Sequence, residues 1–199
     1  AADTDGDGLR DGGETGCIFA TNAIPWLVFD VYEDITAEIS TNSRRCVSRA
    51  LPVPLRIQGE AVTNLTLSAN GLVFLDKAGY VNPGYSTSSS DFKYPISEDA
   101  LVLAPYLQYA HIRSDVADRQ TSIRYGTATH DGGGYLLVEY LNSFYDTSSS
   151  RTNSISFQIA IPTNAPDRAY ARYADVAGRY MDGRYASIGM QTFGGRWLH

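Results

Sequence analysis

Apolar and polar residues alternate along most of the chain from about residue 24 onward, and no stretch keeps the period of an amphipathic helix. Between residues 155 and 161, for example, every second side chain is large and apolar. A period of two places alternate side chains on opposite faces of a β-strand, whereas a helix needs about 3.6 residues per turn. The pattern predicts ten strands, at 26–32, 51–58, 65–68, 72–75, 100–103, 122–127, 135–141, 155–161, 169–175 and 185–191.

Groups of Gly, Asn, Asp and Pro separate these strands, as at 70–71, 82–84, 131–134 and 164–166. Such residues favour turns because they tolerate a positive φ or fix φ at the turn value. The Asn70-Gly71 pair suits a type I′ hairpin, in which both central residues have positive φ. Ten short strands with a turn about every dozen residues predict an all-β fold, either a two-sheet antiparallel sandwich or a flattened barrel.

Three segments interrupt the alternation. Two runs rich in serine and threonine, 86–90 and 147–152, are expected to be exposed loops, serving either as binding loops or as mobile connectors. Residues 32–46 mix charged side chains with few large apolar ones. We expect an irregular segment or one short helix there.

The segment from Asp3 to Glu14 matches the twelve-residue template of a calcium-binding loop. Acidic residues occupy template positions 1, 3, 5, 9 and 12, and Gly8 occupies position 6, where the loop turns sharply. The predicted ligands of Ca²⁺ are Asp3, Asp5, Asp7, the backbone carbonyl of Leu9, Asp11 and the bidentate carboxylate of Glu14. The alternative is a solvated acidic tail without a metal.

The flanks of this loop do not favour the paired helices of an EF-hand sensor. Only Ala1 and Ala2 precede it, and residues 15–17 include a glycine and a β-branched residue, which disfavour a helix. The loop resembles the Asp-rich repeats of thrombospondin type 3 regions, which implies that calcium stiffens a compact coil. We therefore expect a calcium loop over residues 1–16 and one β-sandwich domain over residues 17–199, as a fragment of a larger protein.

The chain has two cysteines, Cys17 and Cys46, and only two lysines against fourteen arginines. An even pair of cysteines beside a calcium loop predicts a disulfide and an oxidising location, secreted or at the cell surface. Closing this loop of about 30 residues would stabilise the fold by about 3 to 4 kcal/mol. The alternative is a pair of buried free thiols.

Charge and hydropathy exclude other classes of partner. A net charge of -6 with scattered basic residues argues against nucleic acid, which is bound by clustered Lys and Arg. No window approaches the roughly eighteen consecutive apolar residues of a membrane-spanning helix, so we expect no membrane insertion. A hydrophobic content of 43% excludes wholesale disorder.

From about residue 55 to 191 the order of motifs resembles the nidogen-like extracellular domain, a module of matrix and surface proteins. The similar segments are 65–74 with its Asn-Gly turn, 102–106 with Ala-Pro-Tyr, 123–126, 153–159 with Phe-Gln, 172–175 and 186–190. Where the family has a Trp and an Asp after the Ala-Pro-aromatic segment, this chain has Leu-Gln-Tyr-Ala-His at 107–111. The resemblance implies a β-rich scaffold for adhesion or matrix binding and supplies no catalytic residues.

Motifs of common enzymes are absent from the sequence, including the nucleophile elbow, the paired-histidine zinc motif, the Walker loop and the dinucleotide fingerprint. Two interpretations of His111 and His130 are open. In the first they flank a metal ion or pair with Asp131, and in the second they have ordinary surface roles. A hydrolase would instead use two facing carboxylates. Its candidates, which also suit ordinary loop roles, are Glu98, Asp99, Asp118 and Glu139.

Exposed tyrosine rings stack on sugars and anchor protein partners, so a further candidate binding surface is a set of eleven of the fourteen tyrosines. They are Tyr80, Tyr85, Tyr94, Tyr106, Tyr109, Tyr140, Tyr145, Tyr170, Tyr173, Tyr180 and Tyr185. Alternation in a sandwich turns about half of them inward. Asn64 begins a glycosylation sequon.

We expect a non-catalytic, calcium-stabilised extracellular adhesion or recognition module that binds a protein or glycan ligand. The alternatives are a calcium-dependent, lectin-like carbohydrate binder and a secreted hydrolase.

Overall fold

The computed structural model describes residues 24–39, 46–76, 100–107, 110–111, 121–145, 154–166, 168–177, 187–191, 193 and 197–198. These residues form twelve strands and one helical turn. In chain order the elements are β1 (Val31–Asp34), α1 (Thr36–Ile39), β2 (Cys46–Ile57), β3 (Glu60–Ser68), β4 (Val73–Asp76), β5 (Ala100–Leu107), β6 (Ala110–His111), β7 (Ser122–His130), β8 (Gly133–Tyr145), β9 (Ser154–Pro162), β10 (Tyr170–Ala177), β11 (Ser187–Gln191) and β12 (Trp197–Leu198).

The strands form two antiparallel sheets of six strands each. Sheet A has the order β1-β7-β8-β9-β10, with β6 paired to the end of β8, and sheet B has the order β12-β11-β5-β4-β3-β2. This architecture confirms the predicted all-β, two-sheet antiparallel sandwich. Each predicted strand from 51–58 onward overlaps one strand of the structure, because period-two alternation was the correct signal for all of them.

The first predicted strand is the exception. The prediction placed it at 26–32, but β1 covers Val31–Asp34, and residues 24–30 are outside the strands. Residues 27–30 still alternate between more buried and more exposed positions, with Leu27 buried and Val28 exposed, which explains the prediction. The backbone of Leu27 is bound by a side chain, that of Gln158, rather than by a neighbouring strand.

The hydrophobic core lies between the two sheets and joins them. Its large side chains come from the inward positions of β7, β8 and β9 in sheet A and of β3, β4 and β5 in sheet B. Tyr140 is fully buried, stacks on Phe157 at 4.6 Å between ring centroids, and donates a 2.8 Å hydrogen bond to the Ser68 carbonyl of sheet B. The predicted inward set of Phe157, Ile159 and Ile161 is confirmed.

Two-residue turns join β2 to β3 and β7 to β8. Positive φ angles of 52° at Gln58 and 81° at Gly59 fit a type I′ turn, as do 49° at Asp131 and 74° at Gly132. The second of these turns is the one predicted at 131–134. The register of the β7–β8 hairpin is therefore fixed by its turn.

The type I′ turn predicted at Asn70-Gly71 is wrong. Gly71 has a φ of 90°, but Asn70 is not among the residues with positive φ. Four residues connect β3 to β4, and the Gly71 amide donates to the Ser68 carbonyl at 3.3 Å. The longer connection needs only one left-handed residue, so Asn70 keeps an ordinary backbone conformation.

One short helix was an open possibility for residues 32–46, and α1 is that helix. The Asp34 carboxylate accepts the Thr36 amide at 3.0 Å, as an N-capping side chain does. Ile35 and Ile39 are fully buried and anchor the turn in the core. In the described part of the chain, no helix is long and apolar enough to cross a membrane. The calcium loop, the turn at 82–84 and the polar runs at 86–90 and 147–152 lie outside the described residues.

Candidate recognition surface

Residues 24–30, here called the strap, lie across the outer face of sheet A, the face turned away from sheet B. Leu27 is buried there in a second apolar cluster with Ala128 of β7, Leu137 of β8 and Ala160 of β9. Burying a leucine side chain contributes about 2 kcal/mol. The small side chains at 128 and 160 leave room for the strap to lie close to the sheet.

Gln158 of β9 binds the strap as a neighbouring backbone would. Its amide oxygen accepts the Leu27 N–H at 2.9 Å, and its amide nitrogen donates to the Leu27 carbonyl at 2.8 Å. The same nitrogen donates to a carboxylate oxygen of Glu139 at 2.8 Å. Since Gln158 is only 1% exposed, these three bonds provide partners for its amide oxygen and for both of its amide hydrogens.

A row of polar side chains crosses the outer face of sheet A beside the strap. Cross-strand register places its members opposite one another on five successive strands: Asp34, Arg124, Glu139, Gln158 and Arg172. An Arg124 guanidinium nitrogen lies 3.5 Å from Asp34 and another lies 3.7 Å from Glu139. The Arg124 guanidinium also lies over the Tyr32 ring, 5.2 Å from its centroid. This row ties edge strand β1 to the centre of the sheet.

Gly126 permits β1 to approach β7. A Cβ atom built on Gly126 would lie 2.0 Å from the Val31 carbonyl oxygen and 2.8 Å from the Tyr32 Cα. Both contacts are with backbone, which cannot rotate away. Glycine in a strand marks such an approach, and here only glycine is compatible with the pairing.

A cluster of charged side chains lies at the β1 edge of the sandwich, on the side of sheet A that faces sheet B. Arg49 of β2 binds Glu33 of β1 at 2.8 Å and Glu38 of α1 at 2.5 Å. The Tyr125 hydroxyl donates to the other oxygen of Glu33 at 2.5 Å. The bonds from Tyr125 and Arg49 lower the pKa of Glu33, while burial and the neighbouring Glu33 raise the pKa of Tyr125. Arg49 thereby connects sheet B to β1.

Replacing Glu33 with glutamine tests this cluster by its pH dependence. Because the folded-state pKa of Glu33 is lowered from 4.5, its stabilisation is present above pH 4.5 and lost as the pH falls through the lowered pKa. We expect Glu33→Gln to reduce the free energy of unfolding by about 1 kcal/mol at neutral pH, since the pair is half exposed. Urea denaturation at a series of pH values below 4.5 is expected to show a difference that shrinks as the pH falls. Glu60→Gln, at the first residue of β3 and outside this cluster, is the control, and a loss that persists at low pH would contradict this assignment.

Large exposed apolar side chains concentrate beside this cluster. Val28 of the strap is 80% exposed, and Val31 and Tyr32 of β1 are 70% and 54% exposed. Phe29 of the strap packs near Tyr32, with ring centroids 5.5 Å apart. We call Val28, Val31 and Tyr32 the edge patch. Exposed apolar side chains grouped in this way are typical of interaction sites.

The calcium ligands predicted from the sequence, Asp3 to Glu14, lie outside the described residues, and the calcium site stays a prediction. Within the described ranges, no group of three or more His, Cys, Asp or Glu side chains is arranged to hold a metal ion. Cys46, at the start of β2, has no disulfide partner among the described residues, and burial raises the pKa of its thiol to about 11. Its proposed partner Cys17 lies outside the described residues, so the disulfide also stays a prediction.

Two of the candidates for catalysis, His130 and Glu139, have partners in the structure. His130 lies 3.3 Å from the neighbouring Asp131 in the β7–β8 turn, which is the pairing considered from the sequence. Glu139 is buried and bound by Gln158 and Arg124, so its carboxylate supports the sheet rather than facing a second carboxylate of the described residues. Glu98, Asp99 and Asp118 lie outside the described residues.

The tyrosines divide between core and surface, as alternation predicts. Tyr140 is fully buried and Tyr125 nearly so, whereas Tyr173 of β10 is 40% exposed and donates a hydrogen bond to the Pro105 carbonyl. Tyr32 of the edge patch was not among the candidate binding tyrosines. Its signal was present in the sequence as an apolar Val-Tyr pair directly before two acids.

Comparisons with models of protein families, with curated proteins and with solved structures found no match to this chain. The resemblance to the nidogen-like domain and to thrombospondin type 3 repeats therefore stays a prediction.

Proposed function

We propose that this chain is a non-catalytic, calcium-stabilised extracellular adhesion or recognition module of a larger secreted or surface protein. The calcium template at Asp3 to Glu14, the cysteine pair and the resemblance to the nidogen-like domain support the extracellular part of the proposal. The antiparallel sandwich suits it as a rigid scaffold that carries a binding surface.

The observation that carries the recognition role is the edge patch. Val28, Val31 and Tyr32 are exposed on a segment that Gln158, Gly126 and Arg49 hold in place. A preorganised apolar surface loses little conformational entropy when it binds a partner. The strap also connects this surface along the chain to the predicted calcium loop.

The calcium part is tested by melting the protein in calcium and in chelator. With a dissociation constant of about 0.1 to 1 mM, calcium at ten times that value would stabilise the folded state by about 1.4 kcal/mol. We expect the melting temperature to rise by about 3 to 6 °C. Glu14→Gln is expected to abolish the rise, and Glu60→Gln, outside the loop, to retain it. An equal melting temperature with and without calcium would contradict the calcium site.

The recognition part is tested by adhesion of protein-coated beads to immobilised extracellular matrix proteins and glycans. We expect retention on at least one protein ligand, reduced when Val28 and Tyr32 are both replaced with serine. Ala171→Ser, on the opposite edge strand β10, is the matched control. Failure to bind any member of the panel, or hydrolysis of fluorogenic glycoside, ester or peptide substrates, would overturn the non-catalytic recognition role.

A further inference from the structure

We propose that β1 binds an extended segment of a partner protein as an added antiparallel strand, and that this segment carries two basic residues followed by two apolar residues. The inference rests on the proposed recognition function and names its partner class. It depends on three features of β1: its open backbone, its exposed apolar side chains and its acidic charge.

Within the described part of the chain, no strand pairs with the outer side of the β1 backbone. β1 is the last described strand in the order of sheet A, and all four of its residues are exposed. The Ile35 amide donates to the Ile123 carbonyl at 3.0 Å. Because backbone groups of successive residues in a strand point to opposite sides, this bond determines which residues of β1 face β7. The N–H and C=O groups of Glu33 therefore point toward β7, whereas those of Tyr32 and Asp34 point away from it. An incoming strand would find two consecutive hydrogen-bonding residues on this edge.

Strand β2, at one edge of sheet B, has two features that hinder pairing with a further strand, and β1 has neither of them. β2, at the end of sheet B, contains Pro52 and Pro54, which have no N–H to donate. Its pairing with β3 also shifts register between Ala50 and Leu55. Prolines and bulges prevent another strand from adding to an edge. β1 has neither a proline nor a register shift, and it exposes Val31 and Tyr32 instead.

The charge on β1 selects the partner. Asp30, Glu33, Asp34 and Glu38 are acidic and exposed in this region, against two arginines, Arg49 and Arg124. Glu33, Asp34 and Glu38 each remain about half exposed despite their ion pairs, so their outer sides can accept a second cation. Antiparallel pairing of two copies of β1 would place acids beside acids, which costs energy. The same charges favour a basic strand.

The order of residues in β1 sets the order in the partner. On one face Tyr32 is followed by Asp34, and on the other Val31 is followed by Glu33. A strand running antiparallel meets Asp34 and Glu33 first and Tyr32 and Val31 afterwards. Two basic residues followed by two β-branched apolar residues would therefore place an opposite charge or an apolar side chain against every residue of β1.

The test uses a fluorescently labelled peptide, Thr-Lys-Arg-Val-Ile-Thr, and fluorescence anisotropy at low salt. We expect it to bind at least about tenfold more tightly than Thr-Glu-Asp-Val-Ile-Thr, because like charges across an interface are strongly unfavourable. Val31→Arg is expected to weaken binding by about tenfold or more, since it places a cation against the partner. Ala171→Arg adds the same charge on β10, the opposite edge of sheet A, and is expected to leave binding unchanged. Both substituted side chains are exposed, so circular dichroism is expected to show an unaltered fold.

Equal binding of the acidic peptide, or equal weakening by Ala171→Arg, would overturn the proposal. So would a wild-type protein that sediments as a dimer and becomes monomeric with Val31→Arg, because the edge would then take a second copy of this chain. If bead adhesion is lost in the Val28→Ser, Tyr32→Ser protein while the basic peptide does not bind, the recognition role stands and strand addition fails. If neither bead adhesion nor peptide binding is observed, both fail.

Discussion

Gly126→Ala is expected to release β1 from sheet A and to lower the free energy of unfolding by about 3 kcal/mol. The new methyl group would occupy the position 2.0 Å from the Val31 carbonyl oxygen, so the two strands would have to separate. Separation would also weaken the bonds that Glu33 makes with Tyr125 and Arg49. Urea denaturation followed by tryptophan fluorescence measures the loss.

Gly133→Ala is the matched control for this substitution. Gly133 begins β8, has no positive φ, and its nearest neighbour, the His130 carbonyl oxygen, would lie 3.4 Å from an added Cβ. Its effect is expected to be about 0.5 kcal/mol or less. Equal losses for the two alanine variants would show that close approach of β1 is not what Gly126 provides.

Gln158→Leu is expected to lower the free energy of unfolding by about 3 to 5 kcal/mol. Leucine has nearly the same volume but cannot bind the Leu27 amide, the Leu27 carbonyl or the Glu139 carboxylate. Three buried polar groups would lose a partner, one of them charged. The strap is expected to detach, which amide hydrogen exchange at Leu27 would detect as loss of protection.

A double-mutant cycle with Glu139→Leu separates the buried carboxylate from the strap. Removing both side chains eliminates the charge that Gln158→Leu leaves without its amide partner. The double variant is therefore expected to be at least about 1 kcal/mol more stable than the sum of the two single losses predicts. Additive losses of unfolding free energy in the double variant would contradict the bonding described for Gln158. A loss below about 1 kcal/mol for Gln158→Leu alone would contradict it as well.

The strands were predictable because the sandwich buries one face of each strand and the sequence records this as alternation. The sequence did not show that the strap is not a strand. Burial of Leu27 with exposure of Val28 produces the same alternation without a partner strand. Gln158 occupies a polar position of β9 that alternation assigns to solvent, yet the strap covers it. Gly126 did carry a signal, because a glycine within a strand indicates a close backbone approach. Two of the side-chain contacts that position the edge patch, Tyr125 with Glu33 and Gln158 with Leu27, join residues about 90 and 130 positions apart, which local patterns do not record.

Amide hydrogen exchange from residue 27 to 35 tests the central claim, that the strap and β1 are docked on sheet A with one backbone edge open. We expect protection of Leu27, Asp30 and Ile35, whose amides donate to Gln158, Thr127 and Ile123. We expect rapid exchange of Tyr32 and Asp34, whose amides face away from β7. Rapid exchange throughout this range would show that the segment is not docked, and protection of Tyr32 and Asp34 in the isolated protein would show that the edge is closed.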